Sequence, residues 1–136
     1  MTAGEIVRVR VLALASVTAI VGSRVYLGQF PQEGQVPSVR IQRIDELEGT
    51  HLRGAGGPYR ARVQVDSVAV TLAAAFALDA AMHGDGAGSG LSGWAGTLGS
   101  PAVRVLSILP SDVREVFDAE EFRVWRVMRD YIVSYQ

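Results

Sequence analysis

His51 and His83 are the only imidazoles in a chain of 136 residues that has no cysteine. Thiolate nucleophiles, disulfides and cysteine-based metal sites are therefore excluded. Acid–base work near neutral pH would fall to these two rings. His51 stands in the charged, glycine-rich stretch DELEGTHLRGAGGP, and His83 closes TLAAAFALDAAMHG. Neither belongs to an HExxH array or another ligand spacing, so surface, capping or interface roles explain both with fewer assumptions. The carboxylates cluster at Asp45, Glu46 and Glu48, at Asp118, Glu120 and Glu121, and around His83 at Asp79 and Asp85. None has the spacing of a cation loop, and the first two clusters read as charged turns flanking strands. GDGAGSG (84–90) has the glycines of a phosphate loop, but it follows a helix and lacks Gly-Lys-Ser/Thr, so it reads as a connection. No catalytic, cofactor-binding or metal site is expected, and the chain is not read as an enzyme.

The arginines are the remaining candidates. Arg40 and Arg43 lie on one expected strand, Arg60 and Arg62 share a face of the next, and Arg123, Arg126 and Arg129 lie on the last. Their alternation with apolar residues reads first as a solvated sheet face, next as a charged protein interface and last as DNA contact. The formal charge of −1 supplies no global attraction for nucleic acid or acidic membranes. Apolar residues at 49% against 20% charged describe a folded chain, and its length suits one domain spanning 1–136. The longest apolar run, 11–22, is too short to span a bilayer, and no cleavage site follows it. It reads as part of a structural N-terminal helix, with no membrane partner.

These residues must be positioned by helices and strands that the periodicity locates. Ile6, Val9, Ala13, Val17 and Ile20, joined by Leu14 and Val21, recur at helical spacing. Thr2 with Glu5 forms a capping box and Gly22 a stop, which predicts one helix over 3–21. A connection over 22–37 carries Tyr26, Phe30 and Pro31. Pro37 introduces the strand SVRIQRI, and a protruding loop over 45–58 leads to YRARVQVD, where Tyr59, Ala61, Val63 and Val65 face one way. Thr71 caps a second helix, and the stretch 85–100 stops regular structure as a mobile or conformationally specialised segment. AVRVLSIL (102–109), Pro110, a short VREVF segment and a long final strand follow. On that strand Trp125, Val127, Tyr131, Val133 and Tyr135 share one parity, and Arg129 interrupts the face. The expected fold is α+β: two helices on a mainly antiparallel sheet of four or five strands with long glycine-rich loops.

The order of these pieces resembles the phage tail completion and tail terminator proteins, which include tail-to-head joining proteins and gene transfer agent components. TAIVGSRVYLGQFPQEGQVPSVRIQRI carries the resemblance through Gly22, Arg24, Tyr26, Pro31 and Pro37. YRARVQVDSVAVTLAAAFALDAAM adds Arg60, Arg62, Val63, Gln64 and Val65, and FRVWRVMRDYIVSY resembles the terminal strand of that family. The resemblance implies a subunit of a ring, six-membered, that caps the head-proximal end of a tail tube. Implied partners are other copies of the chain, the major tail-tube protein, a neck or head–tail connector protein, and DNA crossing the channel without base-specific contact. Assembly in the bacterial cytoplasm and residence in the particle neck follow. Arg24, Tyr26, Phe30, Pro31, Arg60, Arg62, Trp94, Arg126 and Arg129 are the candidate interface or assembly-positioning residues, and loops 49–58 and 84–100 the candidate axial contacts. Alternatives left open are a head-side connector or other tail-ring subunit, a small nucleic-acid-binding module, and a metal-dependent small enzyme.

Overall fold

The computed structural model describes residues 1–28, 35–51, 54–118 and 123–136, with backbone alone at 50, 51, 54–57 and 118. Phe30, Pro31, Glu120 and Glu121 lie outside the described residues. The N-terminal segment folds as two helices, α1 (Ala3–Leu12) and α2 (Ala15–Val21), where one over 3–21 was expected. Thr2 and Glu5 form the reciprocal capping box, and Gly22, at φ 60°, ends α2. The interruption falls at Ala13 and Leu14, where no glycine or proline signals it. Leu14 is extended and buried, and its carbonyl accepts from Val17 and Thr18 to start the second helix. The break lets α1 lie on the sheet while α2 packs against α3.

Chain order then gives β1 (Val25–Leu27), β2 (Ser38–His51), β3 (Gly54–Ala69), α3 (Leu72–His83), β4 (Gly96–Leu98), β5 (Val103–Asp118) and β6 (Val124–Tyr135). The six strands form one sheet in the order β1-β2-β3-β6-β5-β4. Among the described residues only the β1–β2 pair is parallel, with Val25 beside Val39 and Leu27 beside Ile41. Among the described residues the expectation is thus corrected to three helices and six strands, because the N-terminal segment divides into two helices and two three-residue strands, β1 and β4, add to the edges. Strand pairing also consumes much of the expected 45–58 loop: β2 and β3 continue to His51 opposite Gly54. Likewise, 102–109 and VREVF belong to one strand, bent by a register shift between Pro110 and Val113. Pro110 fits there because its neighbour two residues back, Ile108, directs its backbone away from β6, bonding the Gly93 N–H and Trp94 carbonyl. The missing proline N–H therefore faces the sheet edge.

Alternation assigns the two sheet faces. Ala61, Val63 and Val65 of β3 align with Val133, Tyr131 and Arg129 of β6. This side, with Val39, Ile41 and Ile108, meets Ile6, Val7 and Val11 of α1, Val17 and Val21 of α2, and Leu78 and Met82 of α3 in the main core. A satellite cluster of Ala69, Ala75 and Val127, with Leu72 and Trp125 against it, seats the start of α3. The opposite face carries Arg40, Gln64, Asp66, Arg62, Asp130 and Arg114.

The 84–100 stretch is conformationally specialised. The Leu91 N–H donates to the Met82 carbonyl at 2.7 Å, folding the glycine loop back on α3. Asp85 Oδ1 accepts from the Ala87 and Ser89 N–H groups, which holds its carboxyl below the usual range. From α1, Arg10 donates to the carbonyls of Gly88, Ser89 and Gly90 and lies 4.8 Å over the Trp94 ring. Arg8, on the same helix, donates to the Val25 carbonyl at 3.0 Å. A Cβ at Gly90 would stand 2.5 Å from the Met82 carbonyl and 2.8 Å from the Gly84 nitrogen. Gly90→Ala is therefore expected to cost about 1–3 kcal/mol in urea denaturation, the scale of local backbone strain. A neutral substitution would mean that the loop is not held in this conformation.

Candidate assembly surface

On the helix-free face a chain of polar contacts crosses four strands. Asp66, 1% exposed, accepts from Arg40 at 2.8 Å and from Gln64 at 2.8 Å. Gln64 accepts in turn from Arg114. Arg114 and Arg62 hold the two oxygens of buried Asp130 at 3.4 and 3.1 Å, and Arg62 also reaches Asp112 at 3.4 Å. Three guanidinium groups thus face three carboxylates. The register explains why: Arg40 is opposite Asp66, Gln64 opposite Asp130, and Arg114 opposite Met128, so alternate residues of adjacent strands meet. Asp112 and Arg114 escaped the sequence analysis because the bend at Pro110 hides their phase. Asp66 was legible as a strand residue two positions from Gln64, whereas Asp130, with Met128 and Ile132 two positions to either side, carried no such signal.

The sequence-predicted residues do not converge on one point. Arg60, exposed, and Arg62, within the network, share β3; Arg126 lies half-buried on the same face of β6, opposite Val68 and Val116. Arg129 projects to the helix side. At the other edge, Arg24 donates to the carbonyls of Pro37 and Ile20, tying the start of β2 to the end of α2. Tyr26 is half-buried in the middle of β1. Trp94 sits beneath Arg10, and its carbonyl accepts from Ile108.

A second group of titratable side chains lies between α3 and β6. Arg129 makes two bonds to buried Asp79, at 3.1 and 2.9 Å, and that partner raises the guanidinium pKa. His83 Nδ1 lies 3.2 Å from the Tyr131 hydroxyl. Burial raises the Tyr131 phenol, with Asp79 adding to the effect. Burial lowers the His83 pKa, Arg129 lowers it further, and Asp79 opposes both. The fold thus favours the neutral ring, while the unfolded chain binds the proton near pH 6.5. Stability is expected to be complete above that pH and to fall modestly as pH drops toward 5, with His83→Gln flattening the slope. Urea midpoints at pH 7 and pH 5 measure it; equal slopes in both proteins would refute the assignment. Chemically the group is a clamp: Asp79 has both oxygens occupied, and Tyr131 is held protonated. Among the described residues no three His, Asp or Glu side chains are placed to hold a metal ion.

Both sheet edges are partly capped. β1 covers β2 only at 39–41, and β4 covers β5 only at 103–105, with the 93–94 backbone adding Ile108. Beyond these, among the described residues, 42–51 of β2 and 109–118 of β5 lack an outer strand. Leu47, Leu109, Val113, Val116 and Phe117 are exposed along them. No described helix is long and apolar enough to cross a membrane.

No protein-family model matches the chain, and no curated protein matches it either. Among solved structures, it is similar in fold to a chain in the virion of a native gene transfer agent (GTA) particle. The TM-score is 0.56 at 17% sequence identity, over 95% of this chain and 90% of that one. At that identity the likeness is one of architecture, and it spans nearly all of both chains.

Proposed function

We propose that the chain is a virion structural subunit, working as a ring, six-membered, at the head-proximal end of a phage-like or gene transfer agent tail tube. The observation that carries this reading is the near end-to-end fold likeness to a chain of a gene transfer agent virion. The sequence resemblance to tail terminators supports the narrower position. The half-open edges at opposite ends of the sheet suit repeated heterologous contacts that stop when a ring closes. One ring face would bind the last tube ring and cover its growth surface; the other would engage a neck or connector protein. DNA would cross the centre without sequence-specific contact. The charge-balanced network on the helix-free face supports that part, because its arginines have carboxylate partners and would hold phosphate weakly. The reading assigns the chain no catalysis.

The test is assembly with and without the subunit. Without it, tubes of uncontrolled length that fail to join heads are expected. Added back, the chain is expected as a cap at one tube end, imaged with six-fold symmetry. Tails of normal length that still join heads would refute the reading, and binding to isolated heads alone would move the chain to a head-side ring.

A further inference from the structure

We infer that copies of this chain join edge to edge, with 111–116 of β5 pairing antiparallel to 42–48 of β2 in a second copy. Closure of such a chain of copies rests on the ring reading above; the pairing itself rests on four properties of the edges.

The first is which backbone groups point outward. The Val39 N–H and Ile41 carbonyl bond beyond the β2 edge, to the Arg24 carbonyl and the Gly28 N–H. Both groups of a residue in an antiparallel ladder point to the same side, so Arg43 also faces out. The shift between Arg43 and Asp45 then turns Glu46 and Glu48 outward. On β5, Ile108 faces out and stands opposite Val133. In β6, Val133, Arg129 and Val127 share a phase and direct their groups to β3, so their β5 partners Val113 and Glu115 face out. Arg43 and Glu46 on one edge therefore meet Glu115 and Val113 on the other as bonding positions. Pro110, with no N–H to give, ends the ladder opposite Glu48.

The second property is the face. Arg43 and Glu46 align with Val63 and Ala61, while Val113 and Glu115 align with Arg129 and Val127, all on the helix side. The pairing therefore keeps every copy's helices on one side of the joined sheet.

The third property is charge. With Arg43 opposite Glu115, the β2 bulge brings Asp45 opposite Arg114, giving opposite charges at two neighbouring positions and like charges directly opposite at none. Arg43, its side chain 49% exposed, holds the half-buried Glu46 at 3.3 Å, and Arg114, 52% exposed, reaches Asp130 at 3.4 Å, so both can turn to a neighbour.

The fourth property is tilt. Within one copy, Val39, Ser67, Val127 and Glu115 form a row across the sheet, as do Arg40, Asp66, Met128 and Arg114. Bringing Glu115 beside Arg43, and Arg114 beside Asp45, staggers copies by four to five positions along β2. At about 3.3 Å per residue, over four strand spacings of about 4.8 Å, the strands incline about 35–40° to the ring axis. That is the inclination at which sheets close on themselves.

The chain has no cysteine, so introduced thiols report unambiguously. Gln42 and Val116 would be opposed in this register. Gln42→Cys and Val116→Cys carried on separate chains, mixed and oxidised, are expected to yield a covalent pair of two copies. One chain carrying both is expected to yield a ladder ending in a closed species. If Val116→Cys couples to Gln42→Cys no faster than to Ala77→Cys on the outer side of α3, the pairing is wrong. Arg43→Glu is expected to weaken self-association about tenfold, and adding Glu115→Arg to restore it; no rescue would also overturn the pairing. Rings that cap tubes yet show neither signature would leave the tail-cap reading standing and remove this one. Cross-linked oligomers that never bind tube ends would do the reverse.

Discussion

Arg129→Ala is expected to lower folding stability by about 3–5 kcal/mol, the loss that follows when a buried ion pair is broken from one side. Asp79 is only 6% exposed, and both its oxygens accept from Arg129. Without the guanidinium, that carboxylate stays beneath α3 with neither water nor donor. The reverse change, Asp79→Ala, is expected to cost less, because Arg129 is 20% exposed and its long side chain can reach solvent. Replacing both, as Asp79→Leu with Arg129→Met, is expected to recover most of the loss. Urea denaturation of the original and the three variants measures these differences. An Arg129→Ala variant within about 0.5 kcal/mol of the original would show that water relieves Asp79. The comparison also decides what Arg129 is for. A residue kept for contact with a neighbour leaves the isolated chain's stability unchanged and weakens assembly; a clamp between β6 and α3 does the opposite.

Arg129 shows where the sequence stops being informative. Its parity put it correctly on the apolar side of β6, yet the partner that makes this tolerable lies 50 positions earlier on a helix. Features encoded locally were legible: the Thr2–Glu5 capping box, Thr71 as cap of α3, and the alternation of β3 and β6 all carry their signal within a few residues. What was lost depends on distant contacts. β1 and β4 are three residues each and exist because a longer strand runs beside them. The 45–58 stretch has the composition of a loop, and cross-strand bonding still draws much of it into the β2–β3 pair. Glycines at 84–90 mark a turn, but the reach of Arg10 from α1 to the carbonyls of that turn carries no local signal. The candidate surface follows the same division. Arg60, Arg62 and Arg126 were assigned a face by alternation, whereas the carboxylates that neutralise Arg62 come from β5 and β6, across a bend that shifts the phase.

The N-terminal helices allow that division to be measured. Read as one helix over 3–21, Ile6 and Ile20 belong to a single apolar stripe, and truncating either would open the core. In the folded chain Ile6 is fully buried among the sheet residues, while Ile20 is 37% exposed. The buried set is Ile6, Val7 and Val11 on α1, then Leu14, Val17 and Val21. Between 11 and 22 every side of the segment is uncharged, so periodicity alone leaves the rotation of the stripe open. Ile6→Ala is accordingly expected to cost about 2–5 kcal/mol, combining lost transfer energy with the cavity beneath α1. Ile20→Ala is expected to fall within about 0.5 kcal/mol of zero, as for other surface changes, helped by the better helix propensity of alanine. Urea midpoints at unchanged slope would compare the two. Equal losses would mean that the stripe runs through Ile20, and that the break at Ala13 and Leu14 does not set the orientation of α2. A near-zero loss of stability at Ile20 accompanied by weaker assembly would identify the outer side of α2 as a second contact between copies.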